Sequence, residues 1–558
     1  MEKIRKYQTF FILLLLVAVS FFSWRYLLSP GYFPMHDDMQ AMRVLQLHKC
    51  LIDGQIPCRW VPDMGYGYGY PQFNYYSPLP YYIMEGFHLL GFSILGSVKI
   101  GFILSFVLSA LAMFLLGRSL WGNFGGFTSA VFYTYAPYRA MDVYNRGAVG
   151  EFWALVFFPL IFWAIYQFLK SDKRVYLLWL ALSFGGLLLS HNISSMIFLP
   201  FIAGWTLILL FVLKKWSLLP KLFFSGFWGI GLAAFFILPA ILEQKFAHTE
   251  TMLMGYFNYL AHFISWRQIF FSTHWGYSSS ILGPGDDVSF SVGIFHWLFA
   301  LLALIIIFKK RRGEKLLFLI ALFLFFGAIA TTFMTHLRSV FIWNNFSFLA
   351  YLQFPWRFLV LSTFLFSVLV GGILKFIPSK KNSLIISSIL VFLVILFNFG
   401  FFRPARWYDI TDKEKFAGEL WKKQLTISIF DYLPIFAQMP PGEKAPEEPI
   451  FIEGEGEIKN YKKGTDWQKG EIQVFRQSTV RLPIFYFPGW EVSIDGQKSN
   501  FVYDNFLGLI TFDLTEGEHE IFAKLKDTPV RKTGNTLSLL GLIAVPVFLF
   551  WNKKGRKK

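Results

Sequence analysis

The amino-terminal stretch MEKIRKYQTFFILLLLVAVSFF (residues 1–22) decides the fold class, because a basic end precedes an apolar run long enough to enter a bilayer. No small-residue cleavage site follows, so we expect a retained signal anchor. Hydrophobic residues make up 55% of the chain, and further apolar runs predict about twelve spans in all. The predicted spans are 10–28, 98–117, 124–138, 151–169, 175–190, 195–213, 222–242, 292–308, 315–334, 356–376, 384–402 and 534–552. The fold class is therefore a polytopic α-helical membrane protein.

The net charge of +17 is explained by topology and not by nucleic acid. Lysine and arginine are concentrated in short segments between the predicted spans, which all fall on one side of the membrane if both termini are cytoplasmic. These segments are KSDKR (170–174), KKW (214–216), KKRRGEK (309–315), PSKKNS (378–383) and WNKKGRKK (551–558). The pattern predicts a lipid bilayer as one partner and excludes a nucleic-acid partner.

The chain divides into three predicted parts. Residues 1–402 form a transmembrane domain, 403–533 an extracytoplasmic β-rich domain, and 534–558 a final transmembrane helix with a basic cytoplasmic tail. Alternating apolar and polar residues between turn residues predict an antiparallel β-sandwich in the second part, which we expect to lack catalytic residues. The sizeable outside loops of the first part are 29–97, 139–150, 243–291 and 335–355.

An acid pair follows the first span in the segment PMHDDMQAMR (34–43). Asp37 and Asp38 lie within a few residues of the predicted bilayer edge, flanked by His36 and Arg43. Charge near a bilayer is costly and commonly marks a functional site. The competing interpretation is that an Asp caps the following helix. Capping explains one acid more easily than two, so we favour function.

The residues after the acid pair predict a short amphipathic helix. Met39, Met42 and Leu45 share one face, whereas Gln40 and Arg43 lie on another. We expect this helix to lie along the membrane surface and to hold the acids at headgroup height.

A second group of charges occurs in APYRAMDVYNRGAVGEF (136–152). It contains Arg139, Asp142, Arg146 and Glu151 within thirteen residues. The i,i+4 spacing of Asp142 and Arg146 predicts a structural salt bridge. Two arginines with a second acid in so short a loop favour recognition of a phosphate group.

Two further candidates lie at predicted span ends. Arg357 in LQFPWRFLVL (352–361) either extends to lipid headgroups or binds the phosphate of a lipid-linked substrate. His191 in LLSHNISS (188–195) is a candidate binding residue, although a single His at such a position is more often a hydrogen-bonded helix terminus.

The low-complexity tract GYGYGYPQFNYYSPLPYY (65–82) has two interpretations. Aromatic belts at membrane interfaces are common. The rings of Tyr66, Tyr68 and Tyr70 could instead stack on sugars, with the intervening glycines allowing a close backbone approach.

The cysteines and the scattered metal-ligand residues give weaker signals. Cys50 and Cys58 lie in the first outside loop, where an oxidised pair and two free thiols are both compatible with the sequence. Metal ligands could come from the long loop and its borders, but their spacing matches no compact metal motif. These residues are Glu243, His262, His274, Asp286 and Asp287.

Several of these blocks together resemble the GT-C membrane glycosyltransferases. The blocks at 36–82, 137–154, 189–195 and 352–359 are similar to those of bacterial multi-spanning GT-C proteins that carry the label "6-pyruvoyl-tetrahydropterin synthase related". Nothing in the sequence supports pterin chemistry. The C-terminal block from FYFPGWEVSIDGQ onward resembles the end of YfhO-type membrane proteins, which are implicated in glycosylation of cell-envelope polymers. The resemblance implies a location in the bacterial plasma (inner) membrane.

The resemblance also implies a reaction. A sugar would move from a polyprenyl-phosphate-linked donor to an envelope glycan, lipid or protein on the outer face of the membrane. Asp37 or Asp38 would act as the general base, and Asp142 would assist it or hold a metal ion. Arginines or a divalent metal ion would stabilise the departing phosphate, with Arg139, Arg146 and Arg357 as the implied phosphate ligands. The alternatives are a transporter or flippase for lipid-linked sugars and a non-catalytic scaffold.

Overall fold

The computed structural model describes residues 2–277, 280, 289–427 and 431–554. It is helical up to residue 426, and short 3₁₀ turns connect many of the helices. The α-helices are α1 Glu2–Trp24, α2 Gln40–Ile52, α3 Gln72–Tyr75, α4 Leu79–Leu89, α5 Ile94–Thr134, α6 Pro137–Met141, α7 Val149–Ser171, α8 Val175–Ser190, α9 Asn192–Leu213, α10 Leu219–Leu242, α11 Trp266–Phe270, α12 Ile294–Lys309, α13 Lys315–Phe333, α14 Val340–Asn345, α15 Leu359–Val370, α16 Lys380–Asn398, α17 Asp412–Lys415, α18 Gly418–Thr426 and α19 Pro529–Lys554.

Nine helical segments of the described chain are long and apolar enough to cross a membrane. The chain is thus an integral membrane protein. The nine segments are Thr9–Leu28, Ile94–Thr134, Val149–Ser171, Asn192–Leu213, Trp216–Leu242, Lys315–Phe333, Pro355–Leu374, Lys380–Phe401 and Pro529–Lys553. Two shorter apolar helices, Val175–Ser190 and Ile294–Lys309, coincide with two further predicted spans.

Helix α5 contains two of the predicted spans and is broken between them. Gly122 has φ 84° and ψ −178°, a conformation outside the helical region that glycine adopts without steric strain. A Cβ on Gly117 would lie 2.9 Å from the Cα of Gly126, so the two halves of α5 pack closely after the break. The count of twelve spans stays a prediction, since nine long candidates and two shorter helices do not by themselves fix it.

The C-terminal strands form one antiparallel sheet. The long strand β2 pairs with β1, with β6 through its first half and with β5 through its second half. Among the described residues the six strands belong to this single sheet, so the predicted two-sheet sandwich is not confirmed. The strands are β1 Ile450–Lys463, β2 Trp467–Phe485, β3 Trp490–Ile494, β4 Gln497–Ser499, β5 Leu509–Leu514 and β6 Gly517–Leu525.

The predicted outside loops meet at one end of the helices. The Asn145 side chain donates to the Gly276 carbonyl, and Gln353 Nε2 donates to the Met252 carbonyl at 3.2 Å. The Tyr75 hydroxyl donates to the Glu243 carbonyl at 2.7 Å. The described parts of the predicted loops 29–97, 139–150, 243–291 and 335–355 are therefore in contact. Which side of the membrane they face stays a prediction.

Helix α2 exists, but it does not lie on a surface with a solvated polar face. Met39 and Met42 are fully buried, and so is Gln40 on the opposite face, while Arg43 is only 3% exposed. Both faces are covered because α4 packs on one side and the 142–147 loop on the other. Cys50 at the end of α2 forms a disulfide with Cys58, which resolves the two alternatives left by the sequence.

Candidate functional site

Asp37 is held by several side chains from the first outside loop. Arg43 Nη1 lies 3.0 and 2.8 Å from its two carboxylate oxygens, and Gln40 Nε2 donates to Oδ2 at 2.9 Å. The Tyr76 hydroxyl donates to the same oxygen at 3.2 Å, and the Arg43 guanidinium lies 4.1 Å from the centre of the Tyr76 ring. The residue before α2 is Met39, and no side chain caps the helix. The helix-capping interpretation of the acid pair is therefore wrong.

Asp38 has a different environment from its neighbour. Its Oδ2 accepts from Lys415 Nζ at 2.7 Å, and Lys415 comes from α17, more than 370 residues later in the chain. Its Oδ1 is buried and has no hydrogen-bond partner among the described residues. Burial raises the pKa of Asp38 above its ordinary value, although Lys415 acts in the opposite direction. A carboxylate with a raised pKa and an unoccupied oxygen is well suited to accept a proton.

Main-chain hydrogen bonds join the two charged loops that the sequence analysis treated separately. The His36 amide donates to the Asn145 carbonyl at 2.9 Å, and the Asp37 amide donates to the Arg146 carbonyl at 3.0 Å. Gln40 Nε2 also donates to the Gly147 carbonyl at 2.7 Å. The acid pair and the 142–146 segment therefore belong to one site.

The second loop contributes a buried ion-pair network. Residues Asp142–Arg146 form a π-helical turn, and Arg146 donates to the carboxylates of Asp142 and Glu151, the latter at 2.9 Å. The Tyr138 hydroxyl donates to the other Glu151 oxygen at 2.6 Å. Burial and the nearby Glu151 raise the pKa of Asp142 well above its ordinary value, despite the opposing charge of Arg146. The predicted Asp142–Arg146 salt bridge is confirmed.

Arg357 reaches this network from the start of the 355–374 span. Its Nε lies 3.9 Å from Glu151 Oε2, and its Nη1 donates to the Leu352 carbonyl and to Gln353 Oε1. The indole ring of Trp356 lies 4.3 Å from the Arg146 guanidinium. Because its side chain turns inward to Glu151, Arg357 does not extend toward lipid headgroups.

We refer to these residues as the charged cluster. It comprises Asp37, Asp38, Arg43, Tyr76, Tyr138, Asp142, Asn145, Arg146, Glu151, Trp356, Arg357 and Lys415.

Several buried polar atoms of the charged cluster have no partner in the described part of the chain. Three are acceptors, namely Oδ1 of Asp38, Oδ2 of Asp142 and Oδ1 of Asn145. The donors are Nε of Arg43, Nε of Arg357 and Nε1 of Trp356. Buried polar groups are nearly always hydrogen-bonded, and exceptions concentrate at sites that bind ligands or water. The cluster therefore offers donors suited to phosphate oxygens and acceptors suited to hydroxyl groups.

Three predicted site residues lie at the edge of the charged cluster or outside it. Arg139 is fully buried, its guanidinium donates to the Tyr133 carbonyl and to Ser109 Oγ, and Asp142 is its charged neighbour in the cluster. His191 has Glu151 and Arg357 as charged neighbours, but its Nδ1 contacts Ser194 Oγ at 2.7 Å as part of a helix start. The exposed His36 ring packs edge-on against Tyr277.

The predicted sugar-stacking tyrosines are used for packing. The main chain turns through positive φ at Gly65, Gly67 and Gly69, and a Cβ on Gly69 would lie 2.2 Å from the Trp60 indole. Tyr68 packs on Phe485 of the sheet, and the buried Tyr70 hydroxyl accepts from the Tyr432 amide at 2.6 Å. Tyr66 is tied by its main chain to Leu425 and Ala445. The glycines are thus required by this turn, and the rings of Tyr68 and Tyr70 are covered by protein.

The charged cluster does not fit a bound metal ion in the described geometry. Asp37, Asp38 and Asp142 are each already paired with a cationic side chain. Their carboxylates form no compact group of three ligands among the described residues. We therefore derive no step through a metal ion at this site.

The residues of the long loop do not assemble into the other predicted metal set. Glu243 is bound by Arg531 and Thr528, His262 Nε2 contacts the Tyr256 carbonyl, and His274 is exposed. Asp286 and Asp287 lie outside the described residues.

Five members of the charged cluster were not predicted from the sequence, namely Tyr76, Tyr138, Asn145, Trp356 and Lys415. Tyr76 was hidden in the tyrosine-rich tract, and its contact with Arg43 depends on the path of the irregular chain after α2. Trp356 precedes Arg357 directly and could have been included with it. Lys415 carries no local signal, because its contact with Asp38 depends on the fold of the 403–427 segment. That segment therefore supplies a charged group to the cluster. The expectation that residues 403–533 lack catalytic residues stays a prediction.

No family model matches the chain. An uncharacterized protein of Lactococcus lactis subsp. cremoris (strain MG1363) is 27% identical to it over 264 residues. That similarity covers 44% of this chain and 41% of the Lactococcus protein, so less than half of either chain is matched.

Solved structures of glycosyltransferases are distantly similar to this chain. The Archaeoglobus fulgidus oligosaccharyltransferase tethered with an acceptor peptide shares 12% identity at a TM-score of 0.44, covering 73% of this chain and 56% of its own. The arabinofuranosyltransferase AftD from Mycobacteria shares 12% identity at a TM-score of 0.48, and the match covers 73% of this chain and 28% of AftD. The oligosaccharyltransferase AglB from Archaeoglobus fulgidus, in complex with an inhibitory peptide and a dolichol-phosphate, shares 13% identity at a TM-score of 0.43. The match covers 81% of this chain and 62% of AglB. These similarities do not support the resemblance to YfhO-type proteins or the pterin-synthase label.

Proposed function

We propose that the protein is a membrane glycosyltransferase that moves a sugar from a polyprenyl-phosphate donor to a cell-envelope acceptor on the outer face of the plasma membrane. The observation that carries the proposal is the set of unpartnered donors and acceptors in the charged cluster. A lipid-linked sugar phosphate presents both complementary chemistries, namely phosphate oxygens and sugar hydroxyls. Its lipid stays in the bilayer, so the site must lie where outside loops meet the spans.

Asp38 is the better candidate for the general base. Arg43 contacts both carboxylate oxygens of Asp37, which leaves that acid a positioning role. Asp38 keeps one oxygen without a protein partner and has a raised pKa. In the reaction, Asp38 accepts the proton of an acceptor hydroxyl while that oxygen bonds to the sugar carbon. The bond from this carbon to the phosphate oxygen breaks, and its electron pair leaves with the phosphate.

Arg357 is the better candidate for stabilising the departing phosphate. Its Nε and the adjacent Trp356 Nε1 have no hydrogen-bond partner in the described structure, and Glu151 Oε2 lies 3.9 Å from that Nε, whereas Arg146 donates to two acids. A cationic donor fixed in a buried site stabilises developing negative charge without reorganisation. Arg146 and Glu151 then orient Arg357, and Asp142 offers its free oxygen to a sugar hydroxyl.

A doubly labelled donor separates this function from transport. The protein is reconstituted in liposomes with a panel of polyprenyl-phosphate sugars, labelled in both the sugar and the phosphate. A transferase separates the two labels, because the sugar leaves for an acceptor or water while the phosphate stays with the lipid. A flippase moves both labels across the membrane together. The Asp38→Asn variant is the matched control, which we expect to retain both labels on one lipid.

Two outcomes would contradict the proposal. In the first, intact donor crosses the bilayer in both variants and the labels never separate, which is the behaviour of a transporter. In the second, the labels separate equally in the wild type and in Asp38→Asn, which would place the chemistry elsewhere.

A further inference from the structure

A group of metal-ligand side chains lies between α2 and α4, outside the charged cluster. Glu85 and His88 are three residues apart on α4 and so lie on one face of that helix, and His48 projects from α2. His48 Nδ1 lies 2.8 Å from Glu85 Oε1, and the imidazole centres of His48 and His88 are 4.6 Å apart. One ligand atom from each residue lies within 4.8 Å of the other two.

Glu85 carries a buried carboxylate that its protein neighbours satisfy only in part. The residue is fully buried, and His48 accounts for Oε1 alone. Oε2 is buried and has no hydrogen-bond partner among the described residues. An ionised carboxylate in such a position is costly unless it is paired or binds a metal. The second oxygen therefore requires a group beyond the described side chains.

His88 is oriented as a metal ligand commonly is. Its Nδ1 lies 2.8 Å from the Phe92 carbonyl oxygen, which can only accept a hydrogen bond. Nδ1 must then carry the proton, and the lone pair of Nε2 is left available. Histidines that bind metals typically donate their other ring N–H to a carbonyl or carboxylate in this way.

We propose that His48, Glu85 and His88 form a binding site for a divalent transition metal ion of the zinc class. Two imidazoles and one carboxylate suit Zn²⁺, whereas Mg²⁺ and Ca²⁺ prefer oxygen ligands alone. The His48 side chain is 30% exposed, which gives the ion an entry path and leaves a fourth position for water. The ion takes the place of the proton between His48 Nδ1 and Glu85 Oε1, which is released to solvent, and it also binds Glu85 Oε2.

The site would act on structure and not on the reaction itself. It joins α2 to α4, and α2 carries Gln40 and Arg43, which hold Asp37. The bound ion would therefore fix the helix that positions one half of the charged cluster. This role predicts that metal removal lowers the stability of the protein.

The test is zinc binding by the full chain in detergent after chelation and dialysis. We expect one Zn²⁺ per chain by elemental analysis, with an unfolding temperature raised by about 2 °C or more when zinc is restored. Glu85→Gln and His88→Asn should weaken zinc binding by about 100-fold or more. His248→Asn is the matched control, because His248 forms a similar pair with Glu250 on an outside loop. That control should bind zinc like the wild type.

Three results would overturn the proposal. The first is unchanged zinc binding in Glu85→Gln and His88→Asn. The second is loss of zinc only in Asp37→Asn or Asp142→Asn, which would assign the ion to the charged cluster. The third concerns the unaltered protein and does not depend on whether a variant folds. Zinc X-ray absorption should show two imidazoles at about 2.0–2.1 Å, and a spectrum without imidazole would exclude the site.

Discussion

The charged cluster and the Gly-Tyr segment (65–70) differ in how their polar groups are used. The charged cluster keeps buried donors and acceptors without protein partners. The Gly-Tyr segment is closed by packing, since Tyr68 lies against Phe485 and the Tyr70 hydroxyl meets the Tyr432 amide. The sequence predicts a substrate-binding role for both regions. The comparison shows that unsatisfied polar atoms, more than residue type, distinguish a candidate site from a structural turn.

The largest expected effect concerns the two adjacent acids of the charged cluster. Replacing Asp38 by Asn should lower transfer by about 10²–10⁴-fold, because a general base is lost. Asp37→Asn should cost less, since its contacts with Arg43 and Gln40 position the loop and do not move a proton. The losses in the two variants are measured as initial rates of sugar release from the lipid donor. Equal losses in the two variants would show that the different environments of these acids do not separate their roles.

The next effect concerns the arginines. Arg357→Met should reduce turnover by about 10²–10³-fold, because a donor to the developing phosphate charge is removed. Arg139→Met is the comparison variant, since Arg139 donates its hydrogen bonds to the Tyr133 carbonyl and to Ser109 Oγ, neither of which belongs to the charged cluster. In folded protein, checked by gel filtration, this variant should turn over like the wild type. A larger loss in Arg139→Met would restore the phosphate-binding role that the sequence implied.

A smaller effect is expected from replacing Lys415. The pH dependence of this variant distinguishes a proton-transfer role of Asp38 from a purely structural role. The Lys415 ammonium lowers the pKa of Asp38 against the larger effect of burial. Lys415→Met should therefore raise that pKa further. Because the base must be deprotonated, activity is lost as the pH falls through this pKa, and the acidic limb of the rate profile should move to higher pH. An unshifted limb with only a uniformly lower rate would indicate that Asp38 is not the titrating group.

The smallest effect is expected in the Gly-Tyr segment. Tyr70→Phe removes the acceptor for the Tyr432 amide and should cost about 1 kcal/mol of stability. The substitution should leave KM for the donor unchanged, because the Tyr70 ring is fully buried by protein and cannot contact the substrate. Thermal unfolding and donor kinetics are measured on the same preparation. A raised KM with unaltered stability would mean that this segment contacts the sugar after all.

Local features of the site could be predicted from the sequence, and distant contacts could not. The Asp142–Arg146 pair follows from an i,i+4 spacing, and the kink at Gly122 falls between two predicted spans. The hydrogen bonds of Arg139 to Tyr133 and Ser109 could not be predicted, because they depend on how α6 packs against α5 and on the π-helical turn that follows it. The Lys415–Asp38 contact joins residues that are far apart in sequence, and no local pattern encodes it.

The most direct test of the central claim is a structure of the protein with a non-cleavable polyprenyl phosphonate sugar, determined in lipid nanodiscs. The account predicts the phosphonate within hydrogen-bonding distance of Arg357 and Trp356, with the Asp38 carboxylate facing the anomeric carbon of the sugar. The acceptors of Asp142 and Asn145 should contact sugar hydroxyls. A ligand bound at the Gly-Tyr segment or midway through the spans, with the charged cluster unchanged, would contradict the account.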